Sequence, residues 1–394
     1  AWDDADSFRD AIYERNTYVA PSLRWNASDA DSLLVQAEYK DRHYNWDTGL
    51  PSYFWGDFDG LEVDYPGLSR NRRGMDLPIN QYIGLAGWDG QHELKQTLTL
   101  EWEHDFSDDW HLKAGLAPVL TDYQGRSSYF YWGWDDPNED GVYLPEDHHA
   151  YLLAGGYAYR SQEVPVTLDV TGKFTLWGLK HAILFGLSHS RGVWRDAGPN
   201  SSTFLKPLEA VGLQDWRHPP HYTLQPDPDF EGSGSWMYSQ TDQGAYVQDL
   251  VSFGDAWKVL LGYRVSRARG HYTSVWAGET YTGDSAFSGS TPRLGVVYQP
   301  SKMVSLYGGW SQSFNPNWGR LKNGGTPPPE TGSQWEVGAK VDFAEGKANL
   351  NVAIYQIDKT NVERCAPESS DCKIVVAVGG QRSHGLEIDL NGEV

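Results

Sequence analysis

Histidine pairs are the residues of this sequence that most resemble a reactive site. His148 and His149 are adjacent in "DHHAY", and His218 and His221 flank two prolines in "HPPHY". Either pair could bind a metal, but no helical pattern sets their spacing, and carboxylates are too plentiful to single out as co-ligands. The sequence has no HExxH motif, no phosphate-binding glycine loop and no strand-to-helix setting for a nucleophilic serine. We therefore expect no catalytic residues, no cofactor and no metal site, and predict that the protein is not an enzyme.

The two cysteines of the chain lie close together. Cys365 and Cys372 enclose six residues rich in turn formers, "APESSD". A local disulfide in an exported loop is the favoured interpretation, and two free thiols are the alternative. The spacing matches no metal signature.

Aromatic clusters are the stronger chemical signal. They occur in irregular segments at 51–58, 127–136, 213–222, 235–240 and 313–318, and around Trp194. Aromatic side chains offer broad, rigid contact to an amphipathic ligand, and their hydroxyl or indole groups form directional hydrogen bonds. These clusters indicate a ligand-binding surface, and the alternative is that they pack the loops against each other.

Hairpins of one design separate these clusters. Six pairs of segments alternate apolar and polar residues at a period of two, joined by short turns near 27–31, 106–110, 176–180, 252–257, 299–302 and 344–347. Such alternation predicts antiparallel strands with one apolar and one polar face. The polar face collects charges of both signs: Arg24, Glu38, Lys40, Glu101, Lys113, Asp169, Lys173, Lys258, Arg264, Arg293, Glu336, Lys340, Glu387 and Asp389.

Composition narrows the class of protein further. The net charge of −21 argues against a nucleic-acid partner, because phosphate binding needs clustered Lys and Arg. The chain contains no apolar run near the roughly 18 residues that a membrane-spanning helix needs. A membrane-spanning barrel agrees with the low hydropathy, because its strands alternate and its lipid face does not raise a window average.

Loop lengths support the barrel. Long irregular segments at 44–93, 124–147, 193–239, 271–289, 314–330 and 362–377 alternate with the short turns, which is the layout of an outer-membrane barrel with brief periplasmic turns and long extracellular loops. Trp25, Trp110, Trp177 and Trp257 fall beside the short turns, where an interfacial aromatic girdle would lie. We predict about fourteen strands, the first of them partial.

Four motifs in the second half occur in a specific order. "TPRLGVVYQPSKMVSLYGGWSQSFNPN" (291–317), "PPETGSQWEVGAKVDF" (328–343), "NVAIYQIDKTNV" (351–362) and "GGQRSHGLEIDLNGE" (379–393) follow one another. With "YERNTYVAPSLRW", "LPINQYIG", "GKFTLWGLKHAILFG" and "AYVQDL" earlier in the chain, they resemble the barrel of TonB-dependent siderophore receptors. The resemblance covers nearly the whole chain.

This resemblance implies a 22-stranded antiparallel transmembrane barrel in the outer membrane of a Gram-negative bacterium, filled by an N-terminal plug domain whose TonB box couples uptake to the inner-membrane TonB complex. The chain, taken as residues 1–394 of the barrel domain, looks like a fragment of such a protein. It starts inside what looks like the second strand, so the plug and first strand are absent, and about seven further strands should follow.

The nearest subgroup by resemblance is that of hydroxamate-type (ferrichrome-type) receptors. It implies that ligand-contacting aromatics lie in three places, "SSYFYWGW", "SWMYSQ" and "QSFNP". The candidates are Tyr129, Tyr131, Trp132, Trp134, Trp236, Tyr238 and Phe314. The acidic chain favours a neutral or cationic ferric complex.

The leading hypothesis is thus an energy-coupled receptor that binds a ferric siderophore, contacts outer-membrane lipid and works with the TonB complex. A passive porin with an aromatic sugar slide is the alternative. A soluble carbohydrate-binding β-protein is a third interpretation, and it requires two apolar sheets packed face to face.

Overall fold

The structure of the protein is a computed structural model in which most of the chain is described. The described residues are 2–47, 80, 82, 84, 86–134, 148–197, 206–211, 234–276, 278–343, 347–367, 369 and 374–392. Within them, 129–155, 206–211 and 276 are described by their backbone only. No helix in these ranges is long and apolar enough to cross a membrane.

The described chain is all β, and its strands form one antiparallel sheet. The strands are β1 Trp2–Asp6, β2 Tyr13–Val19, β3 Ser22–Asn26, β4 Asp31–Tyr44, β5 Gly90–Ser107, β6 Trp110–Leu116, β7 Val119–Trp134, β8 His148–Leu176, β9 Leu179–Asp196, β10 Lys206–Val211, β11 Gly234–Phe253, β12 Trp257–Trp276, β13 Glu279–Ser301, β14 Val304–Asn315, β15 Glu330–Phe343, β16 Ala348–Cys365 and β17 Val375–Gly392.

Two prolines each interrupt a strand and divide it into two segments. β2 and β3 pair with β4 in one continuous register, and Pro21 lies between them. β6 and β7 likewise pair with β5 and β8 on either side of Pro118. Proline has no N–H, but its carbonyl still accepts a ladder bond, from Ala37 N to Pro21 at 3.0 Å and from Leu98 N to Pro118 at 3.1 Å. The segments therefore belong to two strands rather than four.

The strand count matches the sequence prediction. β10 pairs with the start of β8, in the space beyond the end of β9. We count β2 with β3 as one strand and β6 with β7 as another, and we do not count β10, because it extends the position of β9. The described sheet then has fourteen strand positions, and the first, β1, is only five residues long.

The sheet has one charged face and one apolar face. Directly paired residues of antiparallel strands point to the same side, so the register assigns a face to every strand residue. All fourteen charged residues predicted for the polar face share one side, as the ladder from Lys113 to Asp169 to Gly186 to Tyr246 to Arg264 illustrates. We call this side the inner face and the opposite side the outer face.

Apolar residues on the outer face are exposed. Leu23 on β3 is 66% exposed, Ile354 on β16 is 51% and Leu390 on β17 is 68%. In the described part the extensive contacts between strands all join sheet neighbours, and the described strands form one sheet, so no second sheet covers these side chains. Such a surface suits hydrocarbon rather than water, and it overturns the interpretation as a soluble sandwich, which would bury one face of each sheet.

Short turns lie at one rim of the sheet, as predicted. Six connections of two to four residues, 27–30, 108–109, 177–178, 254–256, 302–303 and 344–347, join strands at this rim. In one of the two-residue turns, Trp177 and Gly178 have φ of 52° and 76°, which matches the right-handed hairpin twist. Trp25, Trp110 and Trp257 lie on the outer face beside these turns. Short connections of this kind are expected at the periplasmic rim of an outer-membrane barrel, and we refer to the opposite rim as the extracellular one.

The prediction of a long loop at 271–289 is wrong. β12 and β13 stay paired up to Trp276 and Glu279, and only residues 277–278 connect them. Thr, Tyr and Val, which favour strands, alternate with the Gly, Ser and Asp that suggested a loop, and cross-strand pairing outweighs the local turn propensity. The long connections at the rim opposite the short turns are 45–89, 135–147, 197–233, which contains β10, 316–329 and 366–374.

Candidate functional site

Three of the seven predicted ligand residues have described side chains. Trp236 and Tyr238 lie at the extracellular end of β11 on the inner face, and Phe314 lies near the end of β14. Tyr129, Tyr131, Trp132 and Trp134 lie on β7, where the backbone pairs with β8, and their side chains fall outside the described part. The histidines at 218 and 221 also fall outside it.

A wall of aromatic rings lies on the inner face at the extracellular ends of β9, β11 and β13. Trp194 of β9 lies beside Tyr238, with ring centroids 5.6 Å apart. Trp318, from the 316–329 connection, stands edge-on to Tyr238 at 6.1 Å and to Phe287 of β13 at 5.2 Å. These four rings, which we call the mouth cluster, span three strands and one loop at the extracellular rim.

Glycines make room for the rings of this wall. A Cβ atom on Gly192 would overlap the ring of Trp194, and one on Gly270 would meet Trp318 at 2.5 Å. Phe314 covers Gly289 in the same way, although β14 has left the register with β13 beyond Ser311. The bare backbone lets each ring lie flat on the sheet, which fixes its position with few rotamers. The pairing of Phe314 with Thr331 of β15 assigns Phe314 to the outer face, but its ring reaches over Gly289 of β13 at the end of β14.

Hydrogen bonds made by the two residues that flank Trp318 hold this tryptophan over the sheet. The side-chain amide of Asn317, 6% exposed, donates to the carbonyl oxygens of Pro328 at 2.6 Å and Asn361 at 2.8 Å. On the other side of Trp318, the N–H of Gly319 donates to Glu363 Oε2 at 3.0 Å. The connection 316–329 is thus tied to the top of β16, so the indole is held rather than left on a free loop.

A second group of aromatic rings continues the wall on β4, β7 and β8. Tyr123, 4% exposed, stacks on Tyr157 and Tyr159 with ring centroids 5.1 Å away in each case. Tyr44 is also buried, with the guanidinium of Arg42 3.9 Å from its ring centroid. The register joins the two groups, because Ser161, two residues after Tyr159, pairs with Trp194.

Acidic groups accompany the rings. Tyr238 Oη donates to Gln240 Oε1 at 3.0 Å, and the amide of Gln240 donates to Asp242 Oδ2 at 2.7 Å. Asp196 Oδ2 accepts from the N–H of Trp236 at 2.8 Å. Both carboxylates lie on the inner face, so the wall combines apolar surface with negative charge and would attract a neutral or cationic ligand more readily than an anionic one.

The connection between β4 and β5 is tied down at its base. Asp89 is 5% exposed, and its Oδ2 accepts from Ser128 Oγ at 2.6 Å and from the hydroxyl of Tyr82. Burial, followed by the hydrogen bond and negative charge of Asp89, raises the pKa of Tyr82 above the ordinary range, because each disfavours the phenolate. The base of this loop is therefore a neutral phenol bound to a carboxylate.

Below the mouth the inner face is polar. A cavity of about 840 Å³ near the short-turn rim is lined by Glu103, Lys113, Asp169 and Tyr246 among others. Lys113 Nζ lies 2.7 Å from Glu101, and Tyr246 Oη donates to Asp169 Oδ1 at 2.6 Å. The charges are largely matched, as suits an interior that water or another polar domain fills.

Cys365 ends β16 and is disulfide-bonded. Cys372 lies outside the described residues, so the pairing of the two cysteines stays a prediction.

Sequence reasoning missed part of the wall. Trp194 and Trp318 belong to the predicted aromatic clusters but not to the predicted ligand residues, and Phe287, Tyr123 and Tyr159 belong to neither set. The signal that could have found them is the spacing of glycines such as Gly192 and Gly270, each of which leaves room for a ring.

The barrel family of TonB-dependent receptors, described as TonB dependent receptor-like, beta-barrel, matches residues 8–393. The chain belongs to this family. Such receptors lie in the outer membrane of Gram-negative bacteria, so the predicted all-β antiparallel barrel domain and the outer-membrane location are confirmed.

Several known receptors resemble this TonB-dependent receptor barrel at low sequence identity. The metal-pseudopaline receptor CntO of Pseudomonas aeruginosa is 26% identical, over 100% of this chain and 51% of that receptor. The ferripyoverdine receptor of the same species is 23% identical, over 100% of this chain and 45% of its own length. The crystal structure of the ferric-catecholate import receptor Fiu from E. coli K12 has a TM-score of 0.79 at 17% identity, over 100% of this chain and 57% of that chain, and it shows the fold. The chain spans about half the length of the curated relatives it matches.

Proposed function

We propose that this barrel is part of an energy-coupled outer-membrane receptor that binds a ferric siderophore, or a similar metal chelate, at its extracellular mouth and imports it. The mouth cluster is the observation that carries the proposal. It places the rings of Trp194, Tyr238, Phe287 and Trp318 on the inner face, at the rim where the long connections lie. The names of the relatives support a metal chelate as cargo, because CntO is a metal-pseudopaline receptor and another is a ferripyoverdine receptor.

The chemistry of the wall suits such a cargo. A ferric siderophore is a bulky complex with an organic exterior, and flat rings held against glycines bind its surface without losing much side-chain entropy. Tyr238 and the indole N–H groups add directional bonds. Asp196 and Asp242 favour a neutral or cationic complex.

Within this class we propose a hydroxamate siderophore. The resemblance to hydroxamate-type receptors and the acidic mouth support this choice. The ligands named for the relatives differ, from pseudopaline to pyoverdine to a catecholate, so the siderophore class is the part of the proposal that a ligand panel must decide.

Energy coupling is the remaining part of the proposal. In this family a plug domain fills the barrel and contacts the TonB complex, and the polar, largely charge-matched inner face around Lys113, Asp169 and Tyr246 would suit such a domain. Import would then need no chemistry on the cargo, only release of the ligand from the mouth as the plug rearranges.

Tryptophan fluorescence of the full-length receptor in detergent tests the proposal. Titration with a panel of ferric hydroxamate, catecholate and mixed siderophores should quench the signal with sub-micromolar affinity for at least one complex, and the iron-free forms should bind more weakly. Quenching should weaken in Trp318→Phe and stay unchanged in Trp257→Phe, because Trp257 lies at the other rim on the outer face. Absence of quenching by every complex, together with steady ion conductance in planar bilayers, would instead support a passive porin.

A further inference from the structure

Two histidines face each other at the base of the 45–89 connection. His43 lies just before the end of β4 and His92 just after the start of β5, and the register pairs them directly. Their imidazole rings are stacked, with ring centroids 4.1 Å apart and an interplanar angle of 6°. His43 is on the same face as Leu33 and Val35, because side chains on one face recur every second residue, so both histidines lie on the outer face.

A carboxylate completes the group. Asp41 Oδ1 lies 3.2 Å from His43 Nε2 and 2.9 Å from His92 Nε2, so both ring nitrogens point to the same oxygen. We call Asp41, His43 and His92 the outer triad. Among the described residues, it is the one group of histidine, cysteine and acidic side chains whose ligand atoms all lie within 4.8 Å of one another. Tyr39 Oη donates to the second carboxylate oxygen, Asp41 Oδ2, at 3.4 Å and helps to orient it.

The spacing of these atoms suits a transition-metal ion. Ligand atoms about 2.0–2.1 Å from a tetrahedral Zn²⁺ lie about 3.3 Å from one another, close to the two nitrogen–oxygen distances in the outer triad. Two imidazoles and one carboxylate favour Zn²⁺, Cu²⁺ or Ni²⁺ over Ca²⁺ and Mg²⁺, which prefer oxygen ligands. The side chains of His43 and His92 are 53% and 39% exposed, so an ion can reach the group from solvent and keep a water as a further ligand.

The nearest cationic side chain on this face is paired elsewhere. Arg15 of β2 lies directly opposite His43, but its guanidinium is 3.3 Å from Asp4. Among the described residues, Asp41 therefore has two imidazoles and one tyrosine hydroxyl as partners and no Lys or Arg. Imidazoles that donate hydrogen bonds compensate the carboxylate only in part, whereas a divalent cation between the three side chains would compensate it by charge.

The residues next to the outer triad in the chain belong to the inner wall. Tyr44, which follows His43, pairs with Gln91, which precedes His92. Tyr44 is 7% exposed and Gln91 is 3% exposed. An ion held by the outer triad would therefore join β4 to β5 directly behind this wall, where the 45–89 connection leaves one strand and returns to the other.

We infer that Asp41, His43 and His92 bind one divalent transition-metal ion with the chemistry of Zn²⁺. The two imidazoles and the carboxylate supply three ligands, and the ion clamps β4 to β5 and so restrains the base of the 45–89 connection. The site lies on the outer face and is independent of any metal that a cargo carries into the mouth. The proposal departs from the expectation of no metal site, which considered only histidines close together in the chain, whereas the register brings these two together.

Isothermal titration of the full-length receptor with Zn²⁺ tests the inference, in detergent, after chelator treatment and without siderophore. His43→Gln, His92→Gln and Asp41→Asn should each weaken the binding of one Zn²⁺ equivalent by about tenfold or more, because each removes one of three protein ligands. His271→Gln is the matched control and should bind as the wild type does. His271 is 42% exposed and lies 2.8 Å from Asp284, but among the described residues it belongs to no such group of three.

A second measurement needs no variant. Zn²⁺ at micromolar concentration should slow the modification of His43 and His92 by diethylpyrocarbonate several-fold, as read by peptide mass spectrometry, and should leave His271 unchanged. Zn²⁺ should also slow proteolysis within 45–89 in the wild type but not in His43→Gln.

Competition and a folding control complete the test. Millimolar Ca²⁺ or Mg²⁺ should not displace Zn²⁺, and unchanged heat-modifiable gel mobility shows that each variant is folded. The inference is overturned if the three variants bind Zn²⁺ as the wild type does, if Zn²⁺ protects neither His43 nor His92 in the wild type, or if Ca²⁺ displaces Zn²⁺ from the site.

Discussion

The indole of Trp318 stands edge-on to the ring of Phe287, at 89° and with ring centroids 5.2 Å apart. One ring comes from a loop and the other from the middle of a strand, and Phe287 is 7% exposed. An edge-to-face contact of this kind stabilises by about 1 kcal/mol beyond the area it buries. The contact links the 316–329 connection to the barrel wall and so shapes the mouth.

Removal of the Trp318 ring should weaken cargo binding. In Trp318→Ala we expect affinity for the bound ferric siderophore to fall by about tenfold or more, because buried aromatic anchors dominate binding energy. Isothermal titration with the best ligand of the panel measures the loss. Trp257→Ala, at the opposite rim, should bind as the wild type does, and equal affinity of all three proteins would contradict a role for the mouth cluster.

A side chain at Gly270 should displace Trp318 without removing it. A Cβ there would lie 2.5 Å from the indole, whereas one on Gly283 of the neighbouring strand would meet nothing within 4 Å. We expect Gly270→Ala to reduce ligand affinity several-fold and Gly283→Ala to leave it unchanged. If the two alanine variants behave alike in the same titration, the glycine does not position the ring.

Loss of the Asn317 amide should release the connection. Asn317→Ala leaves the carbonyls of Pro328 and Asn361 without their donor, at an expected cost of about 1–3 kcal/mol to the local structure. Limited proteolysis should cut 316–329 faster than in the wild type. Asn323→Ala, an exposed residue in the same segment, provides the comparison, and unchanged cleavage in Asn317→Ala would show that the anchor is not needed.

The base of the 45–89 connection should loosen at high pH. The pKa of Tyr82 is raised in the folded protein, so its protonated form contributes stability that is fully present below about pH 10, the ordinary value, and is lost as the pH rises above it. Proteolysis within this connection should therefore accelerate above pH 10. In Tyr82→Phe cleavage should already be faster at pH 8 and should depend less on pH, while Tyr281→Phe should follow the wild type.

The predicted disulfide has a direct chemical test. If Cys365 and Cys372 pair, the unfolded, unreduced chain should contain no titratable thiol, and reduction should expose two. Mass spectrometry after alkylation with and without reductant measures this. Alkylation of both cysteines before reduction would support the alternative of two free thiols.

Sequence reasoning was most successful where the pattern is local. The alternation of Leu386, Ile388 and Leu390 with Glu387 and Asp389 sufficed to assign faces, because the side-chain period of a strand is two and the two surroundings differ strongly in polarity. The positions of the short turns were predicted correctly because each turn interrupts this alternation between two adjacent segments. The prediction of a loop at 271–289 was wrong because pairing between β12 and β13 outweighs the local preference of its residues for turns. Pairing between strands is not a local property of the sequence.

The sequence by itself therefore determined the strand periodicity, the two faces and the rim at which long connections lie, since each depends on residues near one another in the chain. Only the tertiary structure decided that Trp194, Tyr238, Phe287 and Trp318 share one wall. This grouping depends on the register between strands, and register is a sum over many long-range pairings that no single segment encodes.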